Sequence, residues 1–288
     1  MKFSGKGTLC VFLSAVFFSL GGLLIKLSPW GPMALNGGRS LCAALFMGAF
    51  FLVSKRRLRF TRQVVFGALC VVGESTLFVF ATKLTTAANA IVLQFTMPVF
   101  VMLFSALFFR KKPGKLDVAV CAAVLLGIVF FFVDSLSGGG MKGNALAVVS
   151  GMCYACVFML NGMPGGDALS AIFFGMVIDA AIGLPFIPRE ADLSASAFLG
   201  AAALGVFQIG LGYTLLSLGL DSTPPVAASL ISGVEPILNP VLVAVFYHEK
   251  LSALSLAGAA IVLVAILTYN VLRAREKSPA EAGRQAGA

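Results

Sequence analysis

Long apolar runs, separated by short polar or glycine- and proline-containing segments, follow one another along almost the whole chain. Ten such runs are present, and each has about the 20 residues that a helix needs to cross a bilayer. Lipid offers the backbone no hydrogen-bond partner, and the runs lack the short alternation of barrel strands, so the pattern predicts ten transmembrane helices. The predicted spans are 7–27, 34–53, 64–83, 86–109, 117–134, 142–161, 169–187, 196–217, 225–247 and 252–272.

The composition indicates that lipid, rather than water, surrounds most of the chain. Hydrophobic residues make up 59% of the 288 residues and charged residues 11%, whereas soluble domains have roughly 45–50% and 25%. Ten spans use about 200 residues and leave about eight for each connection or tail. A soluble catalytic or regulatory domain does not fit into that remainder.

The lysine and arginine residues lie mainly on one side of the predicted topology. Fifteen of the 21 fall near the two termini and in the connections after spans 2 and 4, and five fall on the other side. By the positive-inside rule, both termini face the cytoplasm of a bacterial plasma membrane. The net charge of +9 is therefore interpreted as a topology signal rather than as a surface for nucleic acid. The first run is too long for a signal peptide and lacks a small-residue cleavage site, so it is predicted to be retained.

The two halves of the chain resemble each other. With a shift of 138 positions and no gap, Pro98 aligns with Pro236 and Lys112 with Lys250. Each half would hold five spans, an odd number, so the halves would insert with opposite orientations. The basic connection around Lys112 and its less basic counterpart around Lys250 agree with this inversion. Inverted repeats are a common plan of secondary transporters, which bind their solute near the midplane between the halves.

The predicted fold is therefore an all-α integral membrane protein, with ten transmembrane helices arranged as two inverted five-helix repeats around a central cavity. The first repeat is assigned to residues 1–137 and the second repeat to residues 138–273. The small and polar tail at 274–288 is predicted to be disordered in the cytoplasm.

Short motifs in both halves carry a family resemblance. They are SAVFFSLGG at 14–22, ATKLTTAANA at 81–90, MPVF at 97–100, VEP at 234–236 and HEKL at 248–251. In their order and spacing these motifs resemble the EamA family of the drug/metabolite transporter superfamily, over about residues 5 to 272. The resemblance implies a ten-helix inverted-repeat carrier of small metabolites, commonly amino acids or related solutes, often moved outward. A tryptophan often found in the first helix of each repeat is replaced here by Phe18 and Tyr154.

Three carboxylates lie close to the middle of predicted spans, namely Glu74, Asp179 and Glu235. An ionisable group at that depth costs about 2.5–3.5 kcal/mol on insertion scales, so each calls for a physical reason. One hypothesis is a cavity that binds a cationic or zwitterionic solute, with a carboxylate able to take up a proton. The alternative is internal neutralisation, for instance of Glu74 by Arg39 or Lys83, or a protonated acid that is hydrogen-bonded to a neighbouring helix.

Arg39, about one turn into span 2, is open to two interpretations. Its planar guanidinium can donate two parallel hydrogen bonds to the carboxylate of a solute. The preferred interpretation is that the side chain reaches the membrane interface or pairs within the protein.

Two prolines, Pro98 and Pro236, interrupt spans 4 and 9 near their middle. The carbonyls of Gln94 and Ser232, four residues earlier, lose their usual donor and need protein, water or solute as a partner. A broken helix at the site is therefore predicted, with span 9 as the better candidate and static kinks as the alternative. Gln94 and Ser232 align in the repeat and are the preferred polar candidates. Further candidates on the same spans are Asn89 and Asn239.

Spans 6 and 8 add three candidates for substrate binding, Tyr154, Gln208 and Tyr213. Hydrogen bonds between helices explain these residues equally well. Cys153 and Cys156 have the spacing of a redox pair, but they fall inside an apolar helix, where thiols are inert, so no disulfide is expected. One histidine, His248, cannot form an imidazole-rich metal centre, and neither a cofactor nor a metal is predicted.

The leading functional hypothesis is a secondary transporter of small metabolites that works by alternating access. Export of amino acids or related solutes is preferred, with proton coupling through Glu74 or Glu235 or with no coupling. The sequence contains no Walker motif for the direct use of ATP. The expected partners are a small-molecule solute and the lipid bilayer, with no nucleic acid and no obligatory protein partner.

Two alternatives remain open at this level. One is uptake of a quaternary ammonium solute such as choline, which would call for an aromatic cage around the cation. The other belongs to a different class, an intramembrane enzyme, which would need an acidic metal-binding cluster or a nucleophile paired with a base. The three mid-span carboxylates lie on separate spans, which disfavours an enzyme.

Overall fold

The computed structural model describes residues 5–108, 114–138, 140–160, 163–220, 232–248 and 252–285, and the regular elements among them are all helices. Their bounds are α1 Gly5–Leu27, α2 Pro32–Ser54, α3 Arg62–Leu84, α4 Ala87–Gln94, α5 Met97–Phe108, α6 Lys115–Gly138, α7 Met141–Met159, α8 Ala168–Gly183, α9 Ile187–Glu190, α10 Ala195–Ala203, α11 Gly212–Leu220, α12 Glu235–Phe246 and α13 Ala253–Gln285. A 3-10 turn, Leu184–Phe186, joins α8 to α9, and a π-helical segment, Leu204–Leu211, joins α10 to α11.

Within the described ranges, five helical segments are long and apolar enough to cross a membrane. They are Lys6–Leu27, Pro32–Ser54, Arg62–Leu84, Ala168–Glu190 and Ala195–Gly219. Shorter apolar helices follow at Val118–Phe130, Glu235–Phe246 and Ala253–Ala265. The chain is thus an all-helical, multi-pass membrane protein, as hydropathy predicts. The connection around Lys112 and its counterpart at Lys250, which carry the charge comparison between the halves, lie outside the described residues.

The predicted span 4 consists of two helices. α4 ends at Gln94, and α5 begins at Met97, one residue before Pro98. A proline cannot donate to the carbonyl four residues earlier, so the helical ladder ends there. Gly151 of α7 lies against that carbonyl, because a Cβ on Gly151 would come within 2.7 Å of the backbone oxygen of Gln94. The break therefore lies at a close contact between two helices.

A second proline marks the start of α12. This helix begins at Glu235 and has Pro236 in its first turn, where the missing amide costs no intrahelical bond. Pro240 lies inside the same helix. Residues 221–231, which would complete the predicted span 9, are outside the described part of the chain.

The helices pack around a common interior. α3 packs along α7, and α8 packs against both α2 and α3. α1 runs beside α11, the π segment and α12, whereas α13 packs against α6. One cluster of buried apolar side chains includes Leu93 and Ala147, and another includes Met47 and Leu160. Polar side chains from α2, α3, α4, α7 and α12 are buried in the same bundle.

Glycines bring α2 and α8 into backbone contact. A Cβ added to Gly37 of α2 would lie 2.6 Å from the Cα of Gly183, at the end of α8. The reverse holds as well, since a Cβ on Gly183 would lie 2.5 Å from the Cα of Gly37. Small residues allow helix backbones in a membrane to approach this closely.

At one end of the bundle, two lysines reach the carbonyl ends of neighbouring helices. Lys26 Nζ donates to the backbone oxygen of Thr85 at 2.6 Å, and Lys83 Nζ donates to the backbone oxygen of Ser28 at 2.6 Å. Lys26 therefore stabilises the negative C-terminal end of α3, and Lys83 stabilises that of α1. Among the described residues, Lys83 forms no ion pair with Glu74. This lysine therefore does not neutralise Glu74 in the structure.

Glu190 caps α2 from another part of the chain. The residue before α2, Gly31, offers no side-chain cap, and Pro32 follows it. Glu190 Oε2 accepts from the amides of Met33 at 3.1 Å and of Ala34 at 3.2 Å. These amides are two of the orphan donors of a helix N-terminus, where a carboxylate also meets the positive end of the helix dipole.

We expect Glu190→Ala to lower the free energy of unfolding by about 1 kcal/mol, the usual cost of losing a helix cap. Thermal unfolding of the purified protein in detergent measures the change. Glu190→Gln keeps one acceptor oxygen and should lose less. Asp192→Ala removes a carboxylate at the same end that accepts only from the exposed amide of Ser194, and it should change the midpoint least. Equal midpoints for Glu190→Ala and the parent would contradict the capping role.

The last helix extends beyond the predicted span. α13 continues through Gln285, so the segment after residue 273, predicted to be disordered, is helical in the structure as far as it is described. The segment extends an existing helix rather than nucleating one, and its Ala, Glu, Lys, Arg and Gln residues favour a helix, whereas Pro279 and Gly283 within it do not.

Candidate functional site

A small cavity lies in the interior of the bundle, about halfway along α3 and α7. Its volume is about 30 Å³. This is room for about two waters. Charged, polar and aromatic side chains share its wall, which is formed by Phe18, Arg39, Glu74, Ser75, Phe78, Gln94, Tyr154, Met176, Gln208, Ile209, Tyr213 and Glu235.

Glu74 is fixed in the wall by contacts with two other helices. Gln94 Nε2 donates to Glu74 Oε1 at 2.8 Å and to Ser150 Oγ at 2.9 Å. Ser150 Oγ in turn donates to the backbone oxygen of Glu74 at 2.9 Å. One polar junction thus joins α3, α4 and α7. Gln94 is also the last residue of α4.

Glu235 approaches the cavity from a helix N-terminus. It is the first residue of α12, is buried, and lies in the cavity wall. The N-terminal end of a helix stabilises a carboxylate through its free amides and dipole. Glu74 and Glu235 therefore bring two carboxyl groups to one cavity. In the described part of the chain, no lysine or arginine lies within 4.0 Å of either carboxylate.

Arg39 lies wholly inside the bundle, with 2% of its surface exposed. Its Nε and Nη2 donate to Asn36 Oδ1 at 3.2 and 3.1 Å, and Nη2 also donates to Ser75 Oγ at 2.8 Å. Nη1 donates to Gln208 Oε1 at 3.4 Å. The preferred interpretation from sequence was a side chain that reaches the interface or pairs within the protein, and the structure shows the second arrangement. The guanidinium is held by neutral partners within the protein.

Asp179 lies behind Arg39 and outside the cavity. Its Oδ1 accepts from Thr76 Oγ1 at 3.0 Å, and Thr76 Oγ1 accepts from Asn36 Nδ2 at 3.0 Å. The carboxyl group is 1% exposed, and its Oδ2 has no hydrogen-bond partner among the residues the structure describes. α8, which carries Asp179, packs against both α2 and α3.

Aromatic side chains close the cavity on another side. Phe18 and Tyr213 meet edge to face with ring centroids 4.8 Å apart, and Tyr154 lies in the same wall. Gly212 lies against the Phe18 ring, since a Cβ there would be 2.7 Å from one of its carbons. The π segment brings Gln208 to the cavity one element before Tyr213. Such π segments occur often at functional sites.

Six of the nine candidates predicted from sequence share this cavity. They are Glu74, Gln94, Tyr154, Gln208, Tyr213 and Glu235. The other three lie elsewhere. Asn239 is buried against α1, where a Cβ on Gly22 would be 2.8 Å from its amide nitrogen. Asn89 is buried in the first turn of α4, and Ser232 is half-buried before α12.

The structure adds residues that sequence reasoning did not select, namely Asn36, Ser75, Thr76, Phe78 and Met176. A signal for Asn36 was available, because it lies three residues before Arg39 and so on the same helix face. Ser75 and Thr76 directly follow Glu74 and look like ordinary small residues of a membrane helix. Cys70, Cys153 and Cys156 are free thiols.

The family comparison points to transport. The chain matches the model of the EamA-like transporter family twice, over residues 5–133 and 141–271. These two matches cover nearly the whole chain, so the protein belongs to the EamA-like transporter family. The resemblance identified in the sequence is thereby confirmed.

Among named relatives, threonine/homoserine exporter RhtA of Escherichia coli (strain K12) is 24% identical over 278 residues, which cover 85% of this chain and 92% of the relative. RhtA of Salmonella typhimurium (strain LT2) is 26% identical over 259 residues, covering 85% and 84%. An uncharacterized inner membrane transporter, YedA of Escherichia coli (strain K12), is 25% identical over 259 residues, covering 84% and 83%.

A crystal structure of similar fold supports the arrangement of the helices. It superposes with a TM-score of 0.66 at 20% sequence identity and covers 93% of this chain and 98% of the other chain. At this identity the likeness concerns the fold alone.

Proposed function

We propose that this protein is a secondary transporter that exports amino acids or closely related small zwitterionic solutes by alternating access. The observation that carries the proposal is the cavity wall, in which two carboxylates and one guanidinium lie within apolar helices. Charged groups at such depth are costly and mark solute or ion pathways. A zwitterion offers an ammonium for the carboxylates and a carboxylate for the guanidinium.

The proposal includes a ten-helix topology with two oppositely oriented halves, at about residues 1–137 and 138–273, in the cytoplasmic membrane of a bacterium. The double family match supports two halves, and the lysine and arginine distribution supports cytoplasmic termini. The cavity receives side chains from both halves, for instance Glu74 and Glu235. Rocking of one half against the other would expose it to each side in turn.

The small size of the cavity supports a closed conformation. About 30 Å³ does not admit an amino acid. Transport therefore requires an opening movement, and the lysine contacts at one end of the bundle are among those that such a movement would loosen.

Names of relatives guide the choice of solute. RhtA proteins are named as threonine/homoserine exporters, and the charges of this cavity suit the same chemical class. Proton coupling is part of the proposal, since two carboxylates in one small cavity repel each other unless a cation or a proton lies between them. The entering ammonium would then displace a proton.

A second candidate is uptake of a quaternary ammonium solute such as choline. The observation in its favour is the aromatic lining, with Phe18, Phe78, Tyr154 and Tyr213 beside the two carboxylates. Arg39 in the same wall disfavours it, because a cationic solute has no group for a guanidinium. Trp30 does not join the lining, as its indole donates to the backbone oxygen of Asp192 at the end of the bundle.

Counterflow in proteoliposomes tests the proposal. Vesicles preloaded with unlabelled L-threonine should accumulate labelled L-threonine and L-homoserine well above protein-free vesicles, and a pH gradient should change the rate. Accumulation of choline alone would favour the second candidate. Failure of every amino acid and of choline would reject both solute classes.

A further inference from the structure

The starting observation is a buried guanidinium without an ion pair. Arg39 remains charged in proteins, and a buried charge is costly unless an opposite charge compensates it. No carboxylate of the described residues lies within 4.0 Å of its nitrogens. The donors it does satisfy meet amide, hydroxyl and carbonyl oxygens of Asn36, Ser75 and Gln208.

A chain of hydrogen bonds with only one possible direction links Arg39 to Asp179. The guanidinium can only donate, so Asn36 turns its Oδ1 to Arg39 and its Nδ2 to Thr76. The Thr76 hydroxyl accepts from that amide and must therefore give its own proton to Asp179 Oδ1. The dipoles of these hydrogen bonds all point from the guanidinium to the carboxylate. Asp179 therefore positions Arg39 through Asn36 and Thr76, without a direct contact.

The side of Arg39 that faces the cavity is less occupied. Nε and Nη2 are committed to Asn36 and Ser75. Nη1 carries two donors, and its single contact in the described structure is the 3.4 Å bond to Gln208 Oε1, at the outer limit of hydrogen-bond length. Arg39 and Gln208 both lie in the cavity wall, so an entering anionic oxygen can replace the amide.

We propose that Arg39 binds the carboxylate of the transported solute and that Asn36, Thr76 and Asp179 position it. This inference rests on the proposed function and narrows it to solutes with a free carboxylate. The solute ammonium would lie toward Glu74 and Glu235, which fixes the orientation of an amino acid across the cavity. Amines and amino alcohols, which carry the ammonium alone, would leave the guanidinium unpaired.

Matched pairs of an amino acid and its amino alcohol test this specificity. The probes are L-threonine with L-threoninol and L-homoserine with its amino alcohol, followed by thermal shift of the purified protein and by competition in counterflow. We expect the amino alcohol to bind about 10- to 100-fold more weakly than the amino acid, as for the loss of a charge-assisted hydrogen bond. Arg39→Gln should bring the ratio of the two affinities, amino acid over amino alcohol, close to one. Arg39→Lys should keep part of this preference.

Arg59→Gln is the control, because Arg59 is exposed and lies 3.9 Å from Asp167 outside the cavity. It should keep the full ratio. Thr76→Val tests positioning, since it preserves shape but breaks the directed chain. It should lower the ratio severalfold, and Thr76→Ser should restore it. A merely structural role of Thr76 would weaken both members of each pair equally.

The outcomes separate the two proposals. If no amino acid stabilises the parent or competes, the proposed function fails. If amino acids and amino alcohols act equally on the parent, transport of amines stands and the carboxylate role of Arg39 is overturned. Retention of the parent ratio in Arg39→Gln would overturn it as well. Should that variant not fold, Arg39→Lys and Thr76→Val still decide, because an unchanged ratio in both contradicts the inference.

Discussion

Glu74→Gln is expected to lower the initial rate of solute counterflow about 10- to 100-fold in a protein that still folds. Gln94 Nε2 donates to Glu74 Oε1 at 2.8 Å, and an amide oxygen in that place still accepts. The substitution therefore removes the charge and keeps the shape of the junction. A solute ammonium that loses a carboxylate partner loses about 1.5–3 kcal/mol of binding, which corresponds to the expected factor.

The test compares the variant with two further glutamate-to-glutamine changes. Glu190→Gln lies at the end of the bundle and should transport at nearly the parent rate. Glu235→Gln shares the cavity and should also be impaired. If the carboxylates carry the proton, one of the two cavity variants should transport at a rate that no longer responds to a pH gradient. A Glu74→Gln protein with parent rate and parent pH response would reduce Glu74 to a structural residue.

The positions of the helices could be predicted from sequence. The bilayer thickness fixes the length of a span, and the need to hydrogen-bond the backbone in lipid makes each span a helix. Apolar runs gave the positions of helices such as Arg62–Leu84 to within a few residues. Local chemistry indicated a disturbed helix at Pro98, since a proline removes one specific hydrogen bond, although span 9 was the preferred candidate for a broken helix. The tail after residue 273 was judged from polarity alone, whereas the structure describes it as helical through Gln285.

Sequence reasoning found those site residues whose side chains have a high free-energy cost in lipid. Glu74 and Glu235 are expensive in lipid on any helix face, so their selection needed no knowledge of packing. Neutral amides are cheaper, and their position depends on the rotation and height of each helix. Asn89 lies five positions before Gln94, about 140° around the helix, and so it points away from the cavity. Asn239 is one turn above Glu235 and meets α1 instead.

The partners of Arg39 could not be predicted for the same reason. A membrane helix is apolar on nearly every face, so the sequence carries little information on which face turns inward. The chain from Asn36 through Thr76 to Asp179 joins α2, α3 and α8. It depends on how closely α2 approaches α8, and that distance is set by Gly37 and Gly183.

Gly37→Ala is accordingly expected to destabilise the protein by about 1–3 kcal/mol or more. Alanine in place of glycine normally stabilises a helix by about 1 kcal/mol. Here the added Cβ would lie 2.6 Å from the Cα of Gly183, a backbone atom that can move only with its helix. Overpacking of this kind exceeds the gain in propensity. Because Asn36 is the adjacent residue, the forced separation would also stretch the bonds that connect it to Thr76 and Arg39.

Gly200→Ala provides the matched control, because a Cβ there would meet nothing within 4 Å in α10. Thermal unfolding in detergent should show a lower midpoint for Gly37→Ala and an equal or higher midpoint for Gly200→Ala. If helix propensity alone acted, both glycine-to-alanine variants would have a higher unfolding midpoint than the parent. Shifts of opposite sign therefore identify packing as the cause at Gly37. A Gly37→Ala midpoint at or above the parent would mean that α2 and α8 do not touch at these glycines. The support that their contact gives to Arg39 would then have to come from elsewhere in the bundle.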